Sequence, residues 1–177
     1  MKKAIIFTLL CVLALSCAYA GRTGFVIQAT PFALQNVSGT GGRYTSTNGF
    51  GVRGGFRCGI TDSLSAGLDV DLLSYRYNEL ETDYNVIGIR AVVQYVHEIT
   101  DSIYAEAEFG LGADRRQIAS AKMITFGMDG YAGFGCRLSD EFALTTGAGI
   151  AMSMQNGKKS KSTDFAFKTR VGLEVLL

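Results

Sequence analysis

Twelve charged side chains stand at alternate positions along the chain: Arg53, Arg57, Asp69, Asp71, Arg90, Glu106, Glu108, Asp129, Arg137, Lys168, Arg170 and Glu174. Six are cations and six are anions, and the chemistry open to such a set is mutual neutralisation. Charges withdrawn from bulk water need partners, and equal numbers on one face meet that need. Arg53 is expected near Asp69 or Asp71, and Arg90 near Glu108. Other candidates carry less. Gly39-Thr40-Gly41-Gly42-Arg43 superficially resembles a phosphate loop but lacks the GxxxxGK[ST] spacing and a following helix, so it reads as an external loop. Lys158, Lys159 and Lys161 form a basic run able to contact a polyanion, although such runs are usually solvated loops.

Strands are the elements that position these charges. Phe50, Val52, Gly54, Phe56 and Cys58 alternate with Gly51, Arg53, Gly55 and Arg57. Leu64 through Leu72, Ile87 through Tyr95, Ile103 through Leu111, Ile124 through Cys136, Phe142 through Met152 and Phe165 through Leu177 repeat the pattern. A period of two held over about ten residues is the strand signature of a membrane barrel. Three turn segments also repeat: Ile60-Thr61-Asp62-Ser63-Leu64, Ile99-Thr100-Asp101-Ser102-Ile103 and Leu138-Ser139-Asp140-Glu141-Phe142. Their aspartates are separated by two equal intervals of 39 residues. Four such units account for residues 21–177, each a hairpin with its connection, which predicts an all-β, eight-stranded antiparallel up-and-down barrel. The first strand is expected at about Gly24 to Pro31. The Asp turns are short, whereas the connections at about Gln35–Thr47, Ser74–Asp83, Asp114–Ala121 and Met154–Thr163 are longer.

Such alternation fits a soluble barrel with an apolar interior or a membrane barrel with a polar one. Glycine separates the two. Within the assigned strands nearly every glycine shares the polar face, and only Gly54 and Gly130 fall on the apolar one. A solvated sheet surface has no use for glycines, but a narrow lumen needs small neighbours for its large charged residues. Apolar-face aromatics gather at both ends: Phe25, Phe56, Tyr95, Phe134 and Phe142 on the turn side, Phe50, Phe126, Phe165 and Phe167 on the loop side. Clustering at both rims is expected of interfacial girdles. In this geometry Cys58 and Cys136 stand on opposite walls, two repeats apart, too far for the roughly 7 Å a disulfide tolerates. With His97 they point outward in diverging directions, so no metal site is expected.

The chain has 177 residues with 47% hydrophobic and 19% charged side chains, which excludes disorder. Lys and Arg total 17 against 16 acids, so no basic surplus points to nucleic acid. Residues 1–20, MKKAIIFTLLCVLALSCAYA, combine a basic start, a short apolar stretch and Ala18-Tyr19-Ala20. They read as a signal peptide cleaved after Ala20, with lipidation of Cys17 as the weaker alternative, leaving residues 21–177 as the barrel domain.

On this pattern the chain resembles the small eight-stranded outer-membrane proteins, the OmpA-barrel, OmpX, OmpW and opacity-protein group. Phe165 to Leu177 looks like their C-terminal assembly signal, although it ends on Leu177 where an aromatic is usual. The resemblance implies an outer-membrane location in a diderm bacterium, with periplasmic turns and termini and extracellular loops. It implies lipid and the barrel-assembly machinery as partners, and host surface molecules or lipopolysaccharide as loop contacts. It further implies a monomer with no nucleic-acid partner, no cofactor and no enzyme activity. Barrels of this size that process lipid A need a histidine at the outer rim; His97 precedes a periplasmic turn, on the wrong side for that chemistry. The expected function is surface interaction, adhesion or envelope integrity. The alternatives are an OmpW-like narrow channel for small hydrophobic solutes and a soluble exported ligand-binding barrel.

Overall fold

The computed structural model describes residues 23–39, 42–77, 82–118, 121–156 and 161–177. The expected signal peptide, Lys158 and Lys159 lie outside them. Nine strands follow in order: β1 (Gly24–Gly39), β2 (Gly42–Thr45), β3 (Asn48–Gly59), β4 (Leu64–Tyr77), β5 (Thr82–Glu98), β6 (Ile103–Ile118), β7 (Ala121–Arg137), β8 (Phe142–Asn156) and β9 (Lys161–Leu176). All pairings are antiparallel between neighbours, and β1 pairs with β9 to close the sheet. Eight strands form the barrel wall; among the described residues β2 pairs with the loop end of β1 alone.

At one end the three Asp turns are built alike. Thr61 and Thr100 each accept two backbone N–H bonds on their hydroxyls, from Ser63 and Leu64 and from Ser102 and Ile103. Ser139 accepts one, from Glu141. Ser63, Ser102 and Glu141 then accept from the N–H groups of Val96, Arg137 and Leu176, tying each turn to the next hairpin or to the closing strand. Side chain to backbone bonds of this kind are why Thr and Ser hold tight turns.

The other end departs from expectation. Strands run through most of the four stretches read as loops, and β1 continues beyond Pro31 to Gly39. Pro31 has no N–H to give the ladder, and the chain absorbs this with a bulge. Pairing is interrupted between Thr30 and Ala33 on the β3 side and between Ala29 and Ala33 on the β9 side. The extra residue switches the inward set from Val26, Gln28 and Thr30 to Ala33 and Gln35. Thr169 donates its hydroxyl to the Phe32 carbonyl at 3.1 Å, satisfying an acceptor on the outer wall.

The outer face is apolar. Ile27, Phe50, Val52, Leu68, Ile89, Phe109, Phe126, Phe134 and Val171 are all exposed there. On β4 the apolar row runs from Leu64 to Leu72 and gives way to Ser74 and Arg76. By strand rise and tilt that band stands roughly 20–25 Å tall, which matches the lipid-facing belt of a membrane barrel. Aromatics mark its turn-side rim: Phe25 and Phe56 pack at 5.3 Å between ring centroids, with Tyr95, Phe134 and Phe142 exposed nearby in the sequence pattern.

Candidate functional site

The charged side chains fill the bore. Eleven of the twelve expected ones are buried: Arg53, Arg57, Asp69, Asp71, Arg90, Glu106, Glu108, Asp129, Lys168, Arg170 and Glu174. The alternation that turns Leu68 and Ile89 outward turns these inward, and glycine makes room for them. A Cβ on Gly88 or Gly127 would meet an Asp114 carboxylate oxygen at 2.8 Å, and one on Gly55 would collide with Asp69. Nothing lies within 4 Å of a Cβ built on Gly54 or Gly130, the two glycines on the outer face.

A central belt has Glu108 as its hub. Arg53 Nη1 and Arg170 Nη1 reach Glu108 Oε1 at 2.6 and 2.9 Å, while Arg57 Nη2 reaches Oε2 at 2.6 Å. Arg53 and Arg57 both pair with Asp69, Arg53 also lies 3.7 Å from Asp71, and Arg170 meets Asp129 at 3.1 Å. The Arg170 guanidinium stacks over the Tyr131 ring at 4.8 Å. The expected proximity of Arg53 to Asp69 and Asp71 is present.

Two expected placements are corrected. Arg90 pairs with Asp114 at 2.5 Å, not with Glu108. It stands opposite Gly112 in the β5–β6 register, so its long side chain reaches along the bore toward the loop end, to the carboxylate two residues on, while Gln94 takes the place opposite Glu108. Arg137 does not join the lumen network. It sits at the turn-side rim, where it pairs with Glu98, donates to the Asp101 carbonyl at 2.9 Å and covers the Tyr104 ring at 5.8 Å. β7 ends at Arg137, so the residue stands at the turn-side limit of the wall.

A second cluster escaped the sequence reading. Asp114 accepts from Arg90, Arg116 and the Ser153 hydroxyl, and Arg116 also pairs with Asp164. Arg116 further donates to Tyr84 at 2.9 Å, and Tyr77 donates to Gln35 at 2.9 Å. Tyr75, Tyr77, Tyr84, Leu73, Val86 and Ala33 pack into an inward-facing apolar cap above these charges. The alternating tyrosines of the second long connection thus extend the hairpin, with Tyr75 opposite Tyr84. A cavity of about 20 Å³ separates this cluster from the belt, room for a single water.

Lys161 begins β9, and His97 is exposed beside Glu98 near the turn-side rim. Cys136 is a free thiol on the outer face, so it forms no bond with Cys58, which is buried.

No family model and no curated sequence matches the chain. Solved structures do match in fold. Neisserial surface protein A (NspA) superposes with a TM-score of 0.62 at 16% identity, over 86% of this chain and 97% of that one. OprG from Pseudomonas aeruginosa gives 0.53 at 13% identity, over 89% and 98%. Ail, the attachment invasion locus protein of Yersinia pestis, gives 0.52 at 13% identity, over 89% and 99%, and has also been solved with the heparin analogue sucrose octasulfate. A closed, up-and-down, eight-stranded wall with an apolar exterior and a charged interior is the fold of the small outer-membrane β-barrels, and this chain has that fold.

Proposed function

We propose that the protein is a non-enzymatic outer-membrane β-barrel, exported by residues 1–20 as a signal peptide, whose four loops act at the cell surface. The observation that carries this reading is the ion-paired bore. The belt and the outer cluster occupy the lumen of an eight-stranded wall, which leaves the loop end as the surface free for partners. The short, tied turns and both termini then face the periplasm, and the longer connections face outward. Outer-membrane lipid covers the apolar band, and the last strand, Phe165–Leu177, serves the assembly machinery. Lys158, Lys159 and Lys161 are the loop residues suited to polyanions, whether lipopolysaccharide or host glycans; Ail, similar in fold, binds a heparin analogue.

Fractionation with outer membrane, followed by protease treatment of intact cells, tests the orientation: cleavage should fall within the four outer connections. Cleavage confined to the Asp turns would invert the barrel and end the proposal. Binding to a sulfated glycan column should weaken when Lys158, Lys159 and Lys161 are replaced by Gln.

A narrow solute channel is the second reading, and the Pro31 bulge favours it. Interrupted pairing on both sides of β1 is where a wall would part most readily. In planar bilayers the unmodified protein is expected to show little steady conductance, and Arg53→Ser with Arg90→Ser should raise it. Robust conductance without substitution would favour the channel.

A further inference from the structure

Charge in the bore does not balance. Among the described residues the buried set holds six cations and eight carboxylates. Six of those carboxylates, Asp69, Asp71, Glu108, Asp114, Asp129 and Asp164, are paired with arginines. The two in excess are Glu106 and Glu174, and both sit toward the turn end. Neither forms a salt bridge, and their hydrogen bonds are to neutral groups. Gln94 donates to Glu106 Oε2 at 2.8 Å, and the Tyr104 hydroxyl donates to Glu174 Oε2 at 2.8 Å. Two carboxylates out of water without a salt bridge are costly, and each is about 5% exposed.

A second observation points to what completes them. Tyr131 is 5% exposed, yet its hydroxyl has no hydrogen-bond partner. The ring is aimed toward the turn end: the hydroxyl lies 2.8 Å from a Cβ built on Gly133 and 2.7 Å from one on Gly147. Gly133 is the register partner of Glu106, so this orphan oxygen hangs beside the carboxylate. Glu106 Oε1 is itself buried without a partner, as is Gln28 Oε1, one inward position along β1 from the residue opposite Glu174. Glycine at both Gly133 and Gly147 leaves room for the Tyr131 hydroxyl, where a Cβ at either position would press on it. A small cavity of about 10 Å³ under the Ile60–Ser63 turn reaches Glu174 from the turn-side surface.

We infer that Glu106 and Glu174, with the Tyr131 hydroxyl and Gln28 carbonyl oxygen, bind one hard divalent cation of the calcium type at the turn end of the lumen. Two negative charges in excess match a single divalent ion. The donors are all oxygen and no thiolate or imidazole contributes, which selects hard cations. Carboxylates supplemented by neutral oxygens and water suit calcium, whose coordination is irregular, better than magnesium, which demands a strict octahedron. The ion neutralises the two buried carboxylates that no arginine pairs with, and ties barrel stability to calcium on the turn side.

The test uses the full protein purified in neutral detergent micelles free of lipopolysaccharide and stripped with chelator. Saturating CaCl₂ should raise its thermal unfolding midpoint by about 5 °C. The Glu106→Gln/Glu174→Gln protein should unfold at the same temperature with and without calcium. An undiminished calcium response in that variant places binding elsewhere and overturns the inference, as does no response in the unmodified protein. Should the double variant not fold, terbium decides on the unmodified chain. Terbium bound beside Tyr131 gives tyrosine-sensitised emission that CaCl₂ displaces, and Tyr131→Phe should lose more than half of it. Emission that is absent, or unchanged by that substitution, overturns the inference equally.

Discussion

The central belt and the outer cluster solve one problem with different parts. In the belt three arginines from β3 and β9 converge on one carboxylate, Glu108 of β6, and further acids surround them. In the outer cluster the hub is Asp114, shared by Arg90, Arg116 and Ser153, beneath a cap of tyrosines. The belt is charge packed against charge. The outer cluster grades from charge into hydroxyl and aromatic groups toward the open end, and its hub holds two guanidiniums and a neutral hydroxyl where the belt hub holds three guanidiniums. Removing a hub should therefore cost more in the belt than outside it.

Glu108→Gln breaks the belt most directly. It leaves three buried guanidiniums with one fewer anion among them, and breaking a buried pair from one side typically costs about 3–5 kcal/mol. Urea unfolding in lipid vesicles should register a loss at the upper end of that range. A loss under about 1 kcal/mol would mean that water screens the bore, and the belt would no longer count as closed. Asp114→Asn is expected to cost roughly 2 kcal/mol: Arg90 loses its carboxylate but keeps the Ile89 and Ala113 carbonyls, a neutral amide oxygen still accepts hydrogen bonds, and Arg116 keeps Asp164. Equal losses from the two substitutions would erase the distinction between the regions.

The same contrast governs what could be read from sequence. The belt lies where every strand alternates cleanly, so period two alone puts Arg53, Arg57, Asp69, Glu108 and Arg170 on one face. Asp114, Arg116 and Asp164 lie where outward residues are themselves polar: Arg115 and Gln117 flank Arg116, and Thr163 precedes Asp164. Above the apolar band the outer wall faces water, so alternation between polar and apolar disappears while the strand continues. The signal that remained was cross-strand: Tyr75, Tyr77 and Tyr84 at alternate positions, which do extend their hairpin. Arg137 failed for the opposite reason. Its parity is that of the lumen residues, but parity does not say where a wall ends. Arg90 was placed on the right face with the wrong partner, since side-chain reach along a tilted bore is not set by register.

Arg137→Ala should have a small effect, at most about 1 kcal/mol. Its side chain is 22% exposed and that of Glu98 60%, and exposed pairs contribute little once water and salt screen them. Some loss should persist at high salt, from the bond to the Asp101 carbonyl and the cover over Tyr104, which salt does not weaken. A loss as large as that of Glu108→Gln would place Arg137 in the network after all.

The smallest effect belongs to Gly54→Ala, and its value lies in the neighbouring residue. Gly54 and Gly55 are adjacent on β3 and differ only in the face they present. Gly54 is flanked across the sheet by Ile27 and Val70, both exposed on the apolar outer wall, and a methyl group there meets no protein atom within 4 Å. Alanine removes backbone freedom from the unfolded chain and adds a lipid-facing methyl, so stability should rise by about 0.5 kcal/mol or stay unchanged. Gly55 stands directly opposite Asp69, and its added methyl would collide with that carboxylate and lie 3.0 Å from Arg57 Nη1. Asp69 cannot retreat without loosening both of its arginines, so Gly55→Ala should destabilise by roughly 1–3 kcal/mol. Urea midpoints of the two variants, measured side by side in the same vesicles, report which face is packed. Similar losses at both positions would put protein against Gly54 and contradict a lipid-facing outer wall; no loss at either would empty the bore of the packing described for it.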